Sequence, residues 1–376
     1  MIDTIPKVKY YKSMTDNDLI FTNCADFLDS QSTKKRIGFA CKYLHPNQNQ
    51  KPKILEEIQR PLTEKCTTVA WLNRQTKDVA EQRLWDIMAH NASAARRLVE
   101  YVGSLPRELR MVRLGSNQLP CATESSWMYF WSKPDVVAYC EREYAKVGEA
   151  ARLLDVRLSM HPGQFTVLAS DNEEIVERSI DEFEYHINLA RWMGFGQEWQ
   201  DFKCNVHISG RRGPEGIKDV LPRLSPEARN CITIENDENK WGLEASLELE
   251  KHCALVLDIH HHWVNTGEYI EANDDRIKRI IDSWRGVRPT MHYSLCREDY
   301  LDEHRQDVRP DMEKLLEAGY KKQKLRAHSD YCWNNACNEW ALSHWEWADI
   351  MVEAKMKNLA SGQLFSITEE SKEMAA

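Results

Sequence analysis

The sequence predicts an α/β fold: a single-domain (β/α)8 TIM barrel preceded by an N-terminal extension. Three observations predict it. Eight short, near-continuously apolar runs alternate with stretches of helical periodicity between residues 36 and 353, and such runs suit the strands of a parallel sheet covered by helices. Six of the runs end in His, Asp or Glu, and a closed barrel gathers every strand C-terminus on one face. Neither G-x-G-x-x-G nor a P-loop occurs, so the alternative, an open doubly wound sheet, lacks the phosphate turn that often marks it.

The expected organisation is an extension over 1–33, the barrel over 34–358 and a polar C-terminal tail over 359–376. Arg36–Ala40 is the first strand candidate, and 42–66, rich in Asn, Gln, Pro and Lys, is expected to be a long loop. From Lys77 to about Tyr101, Leu84, Ile87, Met88, Ala95, Leu98, Val99 and Val102 recur at helical spacing. Leu109–Leu114 is the second strand, and a helix over Pro134–Leu154 leads to the third, Val156–Met160. A helix over Glu173–Met193 precedes strand Lys203–Ile208, and a short helix precedes the strand that closes on Glu235. Gly242–His252 is predicted helical, then strand Ala254–Leu257, a helix over Asp274–Trp284, and strand Pro289–Ser294. A polar insertion over 295–327 and the last strand, Asp349–Glu353, complete the barrel.

Composition sets wider bounds. With 376 residues, 42% of them hydrophobic and 29% charged, the chain can bury a large core. No apolar run approaches bilayer-spanning length and Met1-Ile2-Asp3-Thr4 is no signal start, so a cytoplasmic monomer without a membrane partner is expected. Eleven cysteines, scattered singly, read as reduced thiols. A net charge of −9 argues against indiscriminate adhesion to polyanions. Local basic runs (Lys34-Lys35-Arg36, Arg211-Arg212, Lys321–Arg326) and bound divalent cations could still make a nucleic-acid surface.

The strand ends carry the chemistry: His161, His207, Glu235, Asp258 with His261, His292 and Glu353, with His328 in a following loop. One histidine or carboxylate at a strand end is usually structural, but six strand ends bearing only imidazole and carboxylate are hard to explain that way. That donor set suits zinc, manganese or iron(II) better than the all-oxygen cages of calcium or magnesium. Seven or eight ligands exceed what one ion takes, so two or three ions are expected, with a carboxylate bridging. Such clusters hydrolyse phosphodiesters, by activating water and by neutralising charge on phosphorus. Gly163 and Gly210, after two of the strands, would let a backbone approach phosphate, and Arg211 and Arg212 could clamp it. Trp127, Trp131 and Trp263 are the tryptophans expected on the ligand side.

At these residues the sequence resembles the UV damage endonuclease family. The matching segments include Leu158-Ser159-Met160-His161-Pro162-Gly163-Gln164-Phe165, Val206-His207-Ile208-Ser209-Gly210 and Ile234-Glu235-Asn236-Asp237-Glu238. They continue with Asp258-Ile259-His260-His261-His262, Met291-His292-Tyr293-Ser294, Ala327-His328-Ser329-Asp330 and Met351-Val352-Glu353-Ala354-Lys355. The resemblance implies a barrel related to endonuclease IV and the xylose-isomerase-like barrels, binding up to three divalent ions, typically manganese, with zinc, cobalt or magnesium as alternatives. It implies a metal-dependent DNA repair endonuclease that incises double-stranded DNA immediately 5′ to UV photoproducts by attack of metal hydroxide on phosphorus.

By motif position, His161, His207 and Glu235 would hold one ion. Glu235, Asp258, His292 and Glu353 would hold a second and carry catalysis, and His261 and His328 a third. Gln164 and Phe165 match the pair that probes the damaged step. Thr290 stands where many relatives have a lysine, Glu124 loosely where they have a histidine, and Phe165 where tyrosine is common. The rival readings are an abasic-site endonuclease or sugar isomerase on the same barrel, and a damage-binding protein weakened in catalysis.

Overall fold

A computed structural model describes residues 34–375, so the expected extension over 1–33 lies outside the described residues. The strands are β1 (Ile37–Ala40), β2 (Met111–Arg113), β3 (Arg157–Met160), β4 (Lys203–His207), β5 (Ile232–Glu235), β6 (Ala254–Val256), β7 (Thr290–Tyr293) and β8 (Asp349–Val352). All their ladders are parallel, in the order β6-β5-β4-β3-β2-β1-β8-β7. The last seam, between β6 and β7, closes through a single bridge, Asp258 to His292, with the His292 N–H donating to Leu257 O at 2.9 Å. The (β/α)8 barrel is thus the one the alternation predicts. Its sparsest seam runs between two candidate ligands.

Helices cover the barrel as the apolar spacing requires. Lys77–Gly103 buries Leu84, Ile87, Met88, Leu98, Val99 and Val102 along one stripe, and Pro134–Leu153 packs against it. The barrel interior is less apolar than the strand sequences suggested. A period of two puts Arg157, Ser159 and His161 of the β3 segment on one face, Lys203, Asn205 and His207 of β4, and Thr233 and Glu235 of β5. Asn205 Oδ1 accepts from the Thr233 hydroxyl at 2.7 Å inside the barrel. At its base, Asp349 accepts from Arg36 N–H at 2.8 Å, Arg288 Nε at 2.8 Å and Arg157 Nη1 at 2.6 Å.

Several segments differ from expectation. The loop expected over 42–66 contains a helix, Pro52–Gln59, started by a proline in its first turn and followed by a 3-10 turn, Arg60–Leu62. The insertion over 295–327 is not merely polar: Cys296, Leu301, Met312, Leu315 and Leu325 form a small core with Trp263 and Val264. Within 242–252 only Leu243–Leu247 is helical. The helix Asn335–Ser343, before β8, was not read from the sequence.

The expected tail over 359–376 is corrected as well. Lys357–Ala375 is a helix against β1, burying Ala360, Ser361 and Leu364. Its apolar stripe is narrow and made of small residues, so the polar remainder masked it. Asn358 fastens its start, accepting from Leu44 N–H at 2.7 Å and donating to Leu44 O at 2.9 Å. The boundary at 358 therefore falls inside a packed element. The ten described cysteines are free thiols, and no described helix is long and apolar enough to cross a membrane.

Candidate metal centre

The β4–β5 register sets His207 beside Glu235, and Glu235 is the hub of the barrel mouth. Its Oε2 lies 3.5 Å from His161 Nε2 and 4.0 Å from His207 Nε2. Its Oε1 lies 3.1 Å from His292 Nδ1 and 3.3 Å from His261 Nδ1. His292 Nδ1 is also 3.4 Å from Glu353 Oε1. Three overlapping groups result, His161–His207–Glu235, Glu235–Asp258–His261 and Asp258–His292–Glu353, each with its ligand atoms within 4.8 Å of one another.

His328 belongs to none of these groups. Its ring centre is 6.3 Å from that of His261, and its Nδ1 lies 3.2 Å from Glu353 O. His261 sits closer to the other ligands than a separate third site requires. Glu124 is exposed, and the three groups among the described residues do not include it.

Local structure fixes these groups. Asp258 caps the helix Ile259–Thr266, its Oδ1 accepting from His261 N–H at 2.7 Å. Asn236 brackets the Asp258 backbone, accepting its N–H at 2.8 Å and donating to its carbonyl at 3.0 Å. A carbonyl can only accept, so the ring contacts identify the tautomers. His161 Nδ1–H donates to Pro162 O at 2.8 Å, His261 Nδ1–H to Asn236 O at 3.1 Å and His328 Nδ1–H to Glu353 O at 3.2 Å. His161 and His328 thereby keep the Nε2 lone pair, as in metal-binding histidines oriented by an outer acceptor. His261 instead turns Nδ1 toward Glu235 and Asp258 as well, and against its burial the carboxylates of Asp258, Glu235 and Glu238 hold its imidazole well above the ordinary range.

Charge argues in the same direction. Burial opposes ionisation of Glu235, but His292, His207, His161 and His261 around it hold its carboxyl well below the ordinary range. Burial opposes Glu353 likewise, yet Arg113 and His292 bring it well below that range. Asp258 is instead pushed up to about 8, by burial and then by the charges of Glu235 and Glu353. Burial lowers His161, His328 and His292, the last to about 4.

Whether these residues fit divalent ions can be judged from unpartnered atoms. Glu235 Oε1, Asp258 Oδ2 and His292 Nδ1 are buried without a hydrogen-bond partner, and they belong to the overlapping groups above. Leaving such atoms unpaired is costly, and divalent cations held by the overlapping groups would relieve them. The residues fit. Adding manganese to chelator-treated protein should therefore raise its stability, by about 2.7 kcal/mol for one site at a hundredfold excess over Kd; thermal unfolding with and without the ion checks this, and an unchanged midpoint would count against ion binding.

Sequence reading missed the supporting groups. Arg113 Nη1 pairs with Glu353 Oε1, and Asn205 Nδ2 donates to Glu235 Oε2. Thr290 leaves no lysine on β7, yet one arrives from β4: Lys203 Nζ lies 2.9 Å from His292 Nε2. Burial brings Lys203 down to about 7. The signal was present, because Lys203 and Asn205 lie four and two residues before His207 and so share its face.

The mouth opens into a cleft of about 260 Å³, lined by His161, Gln164, His207, Glu238 and Arg326. Gln164 is exposed, and Phe165 stands at the rim with 85% of its surface in solvent. Gly163 has open space where a Cβ would lie. Gly210 needs its φ of +97° and has the Ala169 carbonyl 2.3 Å from where a Cβ would be, so chain packing accounts for it. Arg211 pairs with Asp171 at 3.0 Å while remaining largely exposed, and Arg212 pairs with Asp219. Trp127, Trp131 and Trp263, expected as ligand-side platforms, are buried. Each lies on or beside a short helix whose apolar face takes it inward.

A family model described as UV-endonuclease UvdE matches residues 35–375. Similar curated proteins include the UV DNA damage endonuclease of Bacillus cereus (strain B4264), 23% identical over 312 residues, covering 80% of this chain and 87% of that protein. The UV-damage endonuclease of Schizosaccharomyces pombe is 25% identical over 346 residues, 88% of this chain and 50% of that one. The Neurospora crassa UV-damage endonuclease is 30% identical over 246 residues, 58% of this chain and 37% of its own length. Among solved structures, SacUVDE superposes with a TM-score of 0.67 at 20% identity, over 90% of this chain and 99% of its own, which supports the fold.

Proposed function

The chain belongs to the UV-endonuclease UvdE family and is a DNA repair endonuclease, and from that premise we propose that it incises duplex DNA immediately 5′ to UV photoproducts with the help of divalent ions held at the barrel mouth. The observation carrying this reading is the convergence of Glu235 Oε1, Asp258 Oδ2 and His292 Nδ1, buried and unpartnered, from three separate strand ends.

His161, His207 and Glu235 would hold one ion; Glu235, Asp258, His292 and Glu353 a second; His261, joined by His328, a third. Bound ions, manganese first, would supply an activated water and neutralise charge on the phosphorus. Glu235 turns one oxygen to each side of the cluster and so suits bridging. Arg113 orients Glu353, and Asn236 with the helix start orients Asp258.

Gln164 and Phe165, exposed at the rim of the cleft, would probe a base step already unstacked by a lesion. Arg211 and Arg212, each paired with an exposed aspartate, Asp171 and Asp219, would have to exchange that partner for a phosphate. Phe165→Ala should weaken binding to irradiated duplex by about 10- to 100-fold, the range for removing one base–aromatic stack. Stability and binding to unirradiated duplex should not change. Titration of both duplexes checks it, and equal weakening on both would remove Phe165 from lesion recognition.

The function itself is tested by nicking of plasmid, irradiated or not. Nicks confined to irradiated plasmid, appearing with manganese and stopping with chelator, are expected. No nicking of irradiated plasmid with manganese, cobalt or magnesium would overturn the reading. Incision of abasic duplex without preference for irradiated DNA would replace it with an abasic-site activity.

A further inference from the structure

Beside the metal centre, the C-terminal face of the barrel carries a second and larger cleft, of about 600 Å³, lined in part by Lys42, Arg60, Glu64, Lys65 and Arg83. Lys42 follows β1 by two residues, and Glu64 packs against Gly115, just after β2. The cleft therefore opens on the face that holds the ligand cluster. Lys357, just after β8, lies within electrostatic reach of both Glu353 and Lys42.

Several of these cations have no carboxylate partner, although Arg83 lies over the Trp71 ring, 5.8 Å from its centre. Arg211, Arg223, Arg276, Arg297, Arg305 and Arg326 all pair with nearby carboxylates. Among the described residues, no ion pair within 4.0 Å forms at Lys42, Lys65, Arg83 or Lys357, while Arg60 pairs with Glu56. Glu64, held by Gln118 at 3.0 Å and Asn117 at 3.3 Å, and Glu56 are the acids of the lining, so its four cations, Lys42, Arg60, Lys65 and Arg83, outnumber them. Grouped cations of one sign repel unless an anion joins them. A small anion would satisfy one of them; a backbone with regularly spaced charges can meet several at once.

We infer that Lys42, Lys65 and Arg83 bind phosphates of the substrate duplex flanking the incised step, so that this cleft is the non-specific DNA-holding surface of the enzyme. The inference rests on the reading that duplex DNA is the substrate. Phosphate contacts position a duplex without reporting its sequence or damage, so the surface serves irradiated and intact DNA alike. Lesion choice stays with Gln164 and Phe165.

The test uses Lys42→Gln, Lys65→Gln and Arg83→Gln, singly and together, in the full chain loaded with manganese, leaving Lys357 intact beside Glu353. Binding of intact 30-base-pair duplex is titrated over a range of salt concentrations, and incision of irradiated duplex is measured at saturation. Removing one phosphate-binding cation should reduce the salt slope by about 0.9, so the triple variant should fall by nearly three and bind intact duplex at least about tenfold more weakly. Its kcat on irradiated duplex should stay within about twofold of the parent, and KM should rise.

An unchanged slope and affinity would overturn the inference, as would a fall in kcat with KM unchanged. Unfolding midpoints of the single variants separate removal of charge from misfolding, because each single variant should account for a third of the slope change. If the parent protein binds duplex but never incises irradiated DNA, the photoproduct reading fails while the cleft assignment still stands or falls on its slope. If incision is normal and the slope does not move, only the cleft assignment fails.

Discussion

Glu235→Gln should abolish incision of irradiated duplex, with a fall in kcat of about a thousandfold or more, as when a central catalytic group is removed. The substitution keeps shape and volume, so the barrel should remain folded. What changes is charge and lone pairs. Glu235 is the carboxylate that faces His161 and His207 with one oxygen and His261 and His292 with the other. An amide retains a single acceptor oxygen and places an NH2 where an ion would bind, so manganese content should drop with the rate. Incision kinetics and elemental analysis on the same preparation check both. A variant that incises at the parent rate would show that no bridging carboxylate is needed for the reaction.

Asp349→Asn should destabilise the fold by about 3–5 kcal/mol, the range for breaking a buried pair by removing one partner. Asp349 is 1% exposed and accepts from Arg36 N–H, Arg288 Nε and Arg157 Nη1 at 2.6–2.8 Å. Its neutral analogue leaves Arg157 and Arg288 buried at the barrel base without their shared counter-charge. Asparagine also turns one acceptor into a donor facing an arginine, which adds to the destabilisation. The effect should be on stability, read as a lower urea midpoint at unchanged m-value. A change below about 1 kcal/mol would show that Arg36, Arg157 and Arg288 find other partners.

Much of the barrel could be read because parallel strands between helices leave a plain mark: short apolar runs ending in polar residues. The ends themselves identified His161, His207, Glu235, Asp258, His292 and Glu353, and the structure brings these six together. Short strands hid the interior. Lys203, Asn205 and Arg113 look like isolated polar residues in apolar runs, yet the alternation that aims His207 inward also aims Lys203 and Asn205 inward. The terminal helix was hidden for a different reason. Ala360, Ser361 and Leu364 form a stripe too small and too polar to register as amphipathic.

His328 shows what a motif does not give. Its loop brings it near Glu353 through a backbone carbonyl, but its distance from the three ligand groups depends on how the 295–327 segment packs. That packing rests on Leu301, Met312, Leu315 and Leu325, scattered through a segment whose composition is mostly polar. The buried tryptophans illustrate the converse. Trp127 follows the second strand, where a barrel places its ligand-side loops, yet its Nε1 donates to Asn73 at 3.0 Å and its ring faces the core.

One arrangement underlies the proposed chemistry: residues from separate strand ends share divalent ions. Anomalous scattering from a crystal grown with manganese tests it most directly. The expected result is two or three peaks at the barrel mouth, one among His161, His207 and Glu235 and one among Glu235, Asp258, His292 and Glu353. A map with no peak there, or with manganese bound only to surface carboxylates, would contradict it.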